Sequence, residues 1–109
     1  MSITFIPTTI QELSIYSKNN SSRLIVIDFK ASWCGPCKII KPYIEYLKDN
    51  YKNVEFYEID IEDTDTETIT NTFEIKKVPT FVYYKNGEVC KSLIGINKGN
   101  IEELVNEYL

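Results

Sequence analysis

Apolar residues recur along this chain with two different periods. Leu24-Ile25-Val26-Ile27-Asp28-Phe29 is a continuous apolar run broken by one acid. That pattern predicts a strand buried on both faces, and therefore central in its sheet. Beyond it, Ile39, Ile40, Tyr43, Ile44 and Leu47 recur at helical spacing and predict a long helix over about 34–49. Pro42 lies inside this pattern. Because Tyr43, Ile44 and Leu47 carry the apolar stripe onward, the proline is expected to kink the helix rather than end it. Val54, Phe56 and Glu58 share one face of an alternating stretch at 54–60, a further strand.

The remaining elements are shorter. Weak alternation at 2–6, closed by Pro7, predicts a first strand. Thr9-Ile10-Gln11-Glu12 has the form of a capping box, with Ile10, Leu13 and Tyr16 on the apolar side of a short helix and a loop at 19–22. Residues 68–73 suggest another short helix. Asn86-Gly87, between the β-prone runs 80–84 and 88–94, predicts a hairpin. A last amphipathic helix starts near Asn97 or Asn100 and uses Ile101, Leu104, Val105 and Tyr108 or Leu109. The expected architecture is α/β, a central mixed sheet of about five strands flanked by four helices on both faces. Right-handed crossovers join the early strands in parallel, and the hairpin adds an antiparallel edge. At 109 residues the chain reads as a single domain, 1–109.

Charge narrows the function. A net charge of -4, a single arginine and one adjacent basic pair, Lys76-Lys77, argue against nucleic acid as a partner. Without a basic groove, the eight tyrosines are better explained by packing than by base stacking. No apolar stretch is long enough to span a membrane, and the start of the chain lacks the basic and apolar regions of a secretory signal. Three cysteines do not form a disulfide framework, so a reducing, cytoplasmic setting is expected. The segment 60–67 holds five acids and no base. It reads as a solvated loop whose charge would shape what binds nearby.

Between the central strand and the long helix lies Trp33-Cys34-Gly35-Pro36-Cys37-Lys38. Two cysteines three apart in this setting read as a redox dithiol. With Cys34 at the helix start and Cys37 one turn in, the sulfurs come within bridging reach, and unpaired backbone N–H groups face the outer one. Those groups and the helix dipole favour a thiolate at Cys34. Pro36 suits the first turn because it has no N–H to leave unpaired, and Gly35 lets another backbone approach. A structural zinc site needs four ligands, whereas the chain offers this pair, no histidine and a distant Cys90, so no metal is expected. A merely buried, inert pair is the bland alternative.

These residues bring a resemblance into view. Asp28-Phe29-x-Ala31-x-Trp33-Cys34-Gly35-Pro36-Cys37-Lys38, then Pro42, Val78-Pro79-Thr80, Lys85-Asn86-Gly87 and Gly95, resemble the thioredoxin family over essentially the whole chain. The resemblance implies the thioredoxin fold and a reversible Cys34–Cys37 disulfide, with no bound cofactor. It also implies electrons from a separate, NADPH-dependent thioredoxin reductase, passed to oxidised protein substrates by a monomer. In that reading Cys34 is the exposed nucleophile and Cys37 the partly buried resolving thiol. Asp28 exchanges the proton of Cys37, as a carboxyl in an apolar strand with a raised pKa could. Trp33 shapes the surface, Pro79 is cis, and Val78, Pro79, Thr80, Gly95 and Ile96 join Trp33 in docking substrate.

Two positions depart from the bacterial pattern. Lys30 stands where tryptophan is frequent, which makes one wall of the site more open and more positive. Glu58 replaces a lysine, so Asp28, or an Asp28/Glu58 pair, is expected to be harder to ionise. Gly-Pro between the cysteines is the reductant pattern, and the absence of histidine weighs against an isomerase or oxidase. A binding subunit with incidental redox chemistry is the alternative of a different class. Cys90, on a predicted strand, reads as an inert, packed thiol, with an exposed thiol open to intermolecular bridging as the other reading.

Overall fold

Helices α1 (Ile10–Asn19), α2 (Gly35–Asn50), α3 (Glu67–Thr72) and α4 (Lys98–Tyr108) pack on strands β1 (Ile25–Lys30), β2 (Glu55–Asp60), β3 (Thr80–Lys85) and β4 (Glu88–Ile94). This is a computed structural model describing residues 7–109; the strand expected at 2–6 lies outside the described residues. Within them the sheet has four strands rather than about five, in the order β2-β1-β3-β4. β1 runs parallel to β2 and antiparallel to β3, and β3 antiparallel to β4. The hairpin therefore contributes more than an edge. β3 lies inside the sheet with the same burial pattern as β1, and of the two hairpin strands only β4 is peripheral.

Strand alternation explains the two layers. Leu24 and Val26 face one side with Phe81 and Tyr83, and meet Ile40, Ile44 and Leu47 of α2 and Ile101 and Val105 of α4. Ile25, Ile27 and Phe29 face the other side with Tyr57, Ile59, Val82 and Tyr84, and meet Leu13 of α1 and Ile69 of α3. Because both faces of β1 are covered, its run needs no polar alternation. A side chain of this kind that is fully buried contributes about 1.5–3 kcal/mol relative to exposure.

Local chemistry sets the boundaries. Thr9 caps α1 by accepting from the Glu12 N–H at 3.1 Å, and Asn97 caps α4 by accepting from the Asn100 N–H at 3.0 Å. Asn86 and Gly87 both have positive φ, 52° and 77°, as the two-residue hairpin turn requires. α2 continues through Pro42, as the stripe beyond it predicted. Ile39 leaves that stripe: it is 67% exposed, and Cys37 takes its place on the buried face with Ile40, Ile44 and Leu47.

Candidate active site

The central strand and the long helix meet at the dithiol. β1 ends at Lys30, the turn 31–34 closes through a Cys34 N–H to Ala31 carbonyl hydrogen bond of 3.1 Å, and α2 begins at Gly35. Cys34 is the N-cap of α2. Its sulfur accepts a hydrogen bond from the backbone N–H of Cys37 at 3.1 Å and is bonded to the Cys37 sulfur in a disulfide. α2 spans 16 residues with no acid in its first turn, so the positive end of its dipole is unopposed where Cys34 sits. A sulfur in this place is stabilised as an anion once the bridge opens.

Burial does not separate the two cysteines as expected. Cys34 is 3% exposed and Cys37 9% exposed, so in the bridged state the first cysteine is not the more accessible one. The reason is packing: the bridge draws Cys34 into a small cluster with Ala31, Cys37, Ile61 and Val78. What distinguishes the sulfurs here is the N-cap position and the N–H aimed at Cys34. Gly35 and Pro36 are exposed, and a methyl group added at Gly35 would meet nothing within 4 Å, so this side is open to an incoming backbone.

The segments expected to dock substrate gather around the same cluster. Val78, in contact with it, is joined to Pro79 by a cis peptide bond, and the Pro79 carbonyl accepts from the Gly95 N–H at 3.1 Å. Gly95 has a φ of 104°, a conformation that disfavours any side chain, and open space where a Cβ would stand. Ile96 is 37% exposed beside it. Thr80 instead turns inward, 4% exposed, with its hydroxyl donating to the Lys77 carbonyl at 2.5 Å. Trp33 is 65% exposed and is no part of the core; its indole N–H donates to Glu62 at 3.0 Å. Glu62 was invisible as a partner because it is one of five acids in 60–67, and nothing in the sequence separates it from the others.

Asp28 lies on the α2 face of β1, level with Glu58 of β2 and Phe81 of β3. It is 8% exposed, and one of its carboxylate oxygens has no hydrogen-bond partner. Burial, and then the charge of Glu58, raise its pKa from 3.8 to about 6, against a smaller opposing pull from Lys30 and Lys48. Glu58 goes the other way. Its own burial pushes its pKa up, but the Lys30 hydrogen bond at 2.9 Å and the charge of Lys48, 3.6 Å away, outweigh this and lower it. The two acids are thus divided into one held charged and one resisting charge, rather than sharing a common difficulty. Lys30, expected to make a wall positive, spends its charge on Glu58. Its neighbours Lys38 and Lys41 line a cleft with Ala31, Ser32, Cys37 and Asp60. Cys90 is half-buried beside the α2/α4 core, and burial raises its pKa. Among the described residues no helix is long and apolar enough to cross a membrane, and no three acidic, His or Cys side chains cluster as metal ligands would.

This arrangement has close counterparts. The family model described as Thioredoxin matches residues 8–107. The thioredoxin of Ophiophagus hannah is 42% identical over 91 residues, covering 84% of this chain and 85% of the relative. That of Mus musculus is 43% identical over 86 residues, covering 79% and 80%. Among solved structures, Fasciola hepatica thioredoxin matches with a TM-score of 0.83 at 32% identity, covering 94% of this chain and 96% of that one. The oxidised mitochondrial thioredoxin 3 of Saccharomyces cerevisiae matches at 0.80 and 33% identity, covering 93% and 92%.

Proposed function

From the premise that this chain belongs to the thioredoxin family, and is therefore a thiol-disulfide oxidoreductase acting on proteins, we propose that it runs as a reductase with Cys34 as nucleophile and Cys37 as resolving thiol. The observation that carries this reading is the Cys37 N–H directed at the Cys34 sulfur on the unopposed N-terminus of α2. In the reduced protein the Cys34 thiolate attacks one sulfur of a substrate disulfide. The substrate S–S bond breaks, its departing sulfur takes up a proton, and a mixed disulfide forms. Cys37 gives its proton to Asp28 and attacks the Cys34 sulfur. The second substrate sulfur leaves as a thiolate and takes up a proton, which Asp28 can return, and the Cys34–Cys37 disulfide is restored. The substrate has gained two electrons and the protein has lost two.

Asp28 suits the exchange because a carboxyl with a pKa of about 6 can both accept and return a proton near neutrality. Trp33, Val78, Pro79, Gly95 and Ile96 offer the docking surface, with Thr80 holding the loop from within. The partners in this reading are oxidised protein substrates and a separate NADPH-dependent thioredoxin reductase that reopens the disulfide, and the working form is a monomer. The cytoplasm fits the cysteine usage, and a mitochondrial thioredoxin among the similar structures makes mitochondria the compartment to test beside it.

Cysteine variants test the assignment. C34S is expected to lose all turnover of insulin disulfides and fast alkylation at neutral pH. C37S is expected to accumulate mixed disulfides with target proteins, visible as a ladder on non-reducing gels that collapses with added dithiol. Its alkylation rate against pH should give an apparent pKa below the roughly 8.5 of a free cysteine. Trapping by C34S and none by C37S would reverse the roles.

A further inference from the structure

The cleft beside Cys37 has a use that the disulfide chemistry leaves open. It measures about 220 Å³ and is lined by Lys30, Ala31, Ser32, Cys37, Lys38, Lys41 and Asp60. Three of these carry positive charge and one negative, but their commitments differ. The Lys30 ammonium is bound to Glu58 at 2.9 Å, and the Asp60 carboxylate accepts from the Glu62 N–H at 2.9 Å. Among the described residues, no close ion pair or side-chain hydrogen bond engages Lys38 or Lys41, and the Lys41 charge acts on Glu58 only from further off, helping to lower its pKa. Both lie in the first two turns of α2, which carries no acid in its own first turn to offset the positive end of its dipole. Two exposed ammonium groups and a positive helix end thus border a recess whose wall includes one of the two active cysteines.

We propose that this cleft is a subsite for an acidic side chain of the protein substrate, a glutamate or aspartate flanking the disulfide that Cys34 attacks. Lys38 and Lys41 hold its carboxylate, so they are specificity-determining residues for the reductase reading on which this inference rests. The rest of the molecule would select the opposite. A net charge of -4 and the acidic segment 60–67 repel an anionic substrate at long range, so a preference for acidic flanks can only come from a local site.

The test uses the pre-reduced full chain and three cystine peptides that differ only in carrying Glu, Gln or Lys beside each cysteine. Second-order rate constants for their reduction are measured at low and high salt. The Glu peptide is expected to react about 2- to 30-fold faster than the Gln peptide at low salt, the range for two exposed ion pairs, and the preference should fade at high salt. In K38Q/K41Q the Glu-to-Gln ratio should fall close to one, while K52Q, in the turn beyond the C-terminal end of α2, should keep it. Equal rates for the Glu and Gln peptides in the unmodified chain, faster reaction of the Lys peptide, or a preference untouched in K38Q/K41Q would each overturn the subsite. The Gln peptide keeps the two readings apart. If it is reduced and the Glu preference is absent, the subsite alone is lost; if no peptide is reduced, the reductase reading falls and takes the subsite with it.

Discussion

Asp28 is a carboxyl that the fold has placed where ionising is costly. Its pKa rises from 3.8 to about 6, which corresponds to about 3 kcal/mol of preference for the protonated form in the native state. The sign follows from proton counting. Between about pH 4 and 6 the folded chain holds a proton that the unfolded chain has released, so stability falls as pH rises through this window and stays lower above it. D28N removes the ionisation but keeps a polar group in place. It should be about 1–3 kcal/mol more stable than the parent at pH 7.5 and converge with it below pH 4, as urea denaturation at both pH values would measure. Turnover of protein disulfides by D28N should drop at neutral pH, because Cys37 loses its proton acceptor. A stability gain of the same size at every pH would show that ionisation is not its source.

One element-scale device adjusts that pKa after burial has raised it: the ion network of Lys30, Glu58 and Lys48 ties the end of β1 to β2 and to α2. Its members act on Asp28 with opposite signs, Glu58 raising its pKa and Lys30 and Lys48 lowering it. E58Q should therefore move the Asp28 titration down and K30M should move it up, as carboxyl chemical shifts followed against pH would show; movement in the same direction for both would break the account. At this scale much was legible in the sequence. Period-two and period-3.6 patterns, with the Asn86-Gly87 turn, located the four helices and four strands of the described residues, because burial of one face or both leaves its mark on residue type; the short 3-10 turn Thr64–Thr66 sits inside what reads as a solvated loop. The pairing of Lys30 with Glu58 was not legible. It depends on the register that sets Asp28 level with Glu58 and on how far Lys48 reaches from α2, and no local pattern encodes either. The inward turn of Thr80 and the burial of Cys34 under its own bridge were hidden for the same reason: both follow from contacts across the chain.

At the scale of the whole molecule, strand order decides where the fold is hardest to open. β1 and β3 each have a neighbour on both sides and helices above and below, whereas β4 has one neighbour and mostly exposed side chains. Hydrogen exchange should be slowest at Ile25–Lys30 and Thr80–Lys85 and clearly faster along Glu88–Ile94. Equal protection of all three strands would mean that the hairpin edge is covered in solution. The position of Trp33 has an optical consequence as well. It is the only tryptophan, it is 65% exposed in the folded chain, and it stands next to the Cys34–Cys37 bridge. An indole already largely in water has little further to travel when the chain melts, so its emission colour is a poor thermometer for the two cores. It is placed instead to register what happens within a few ångströms of the sulfurs. Global melting is better followed through the buried rings of Tyr57, Tyr83 and Tyr84, whose near-ultraviolet dichroism depends on the packing that unfolding destroys. Light absorbed by the one indole and light absorbed by the tyrosines therefore report on two different events in the same molecule.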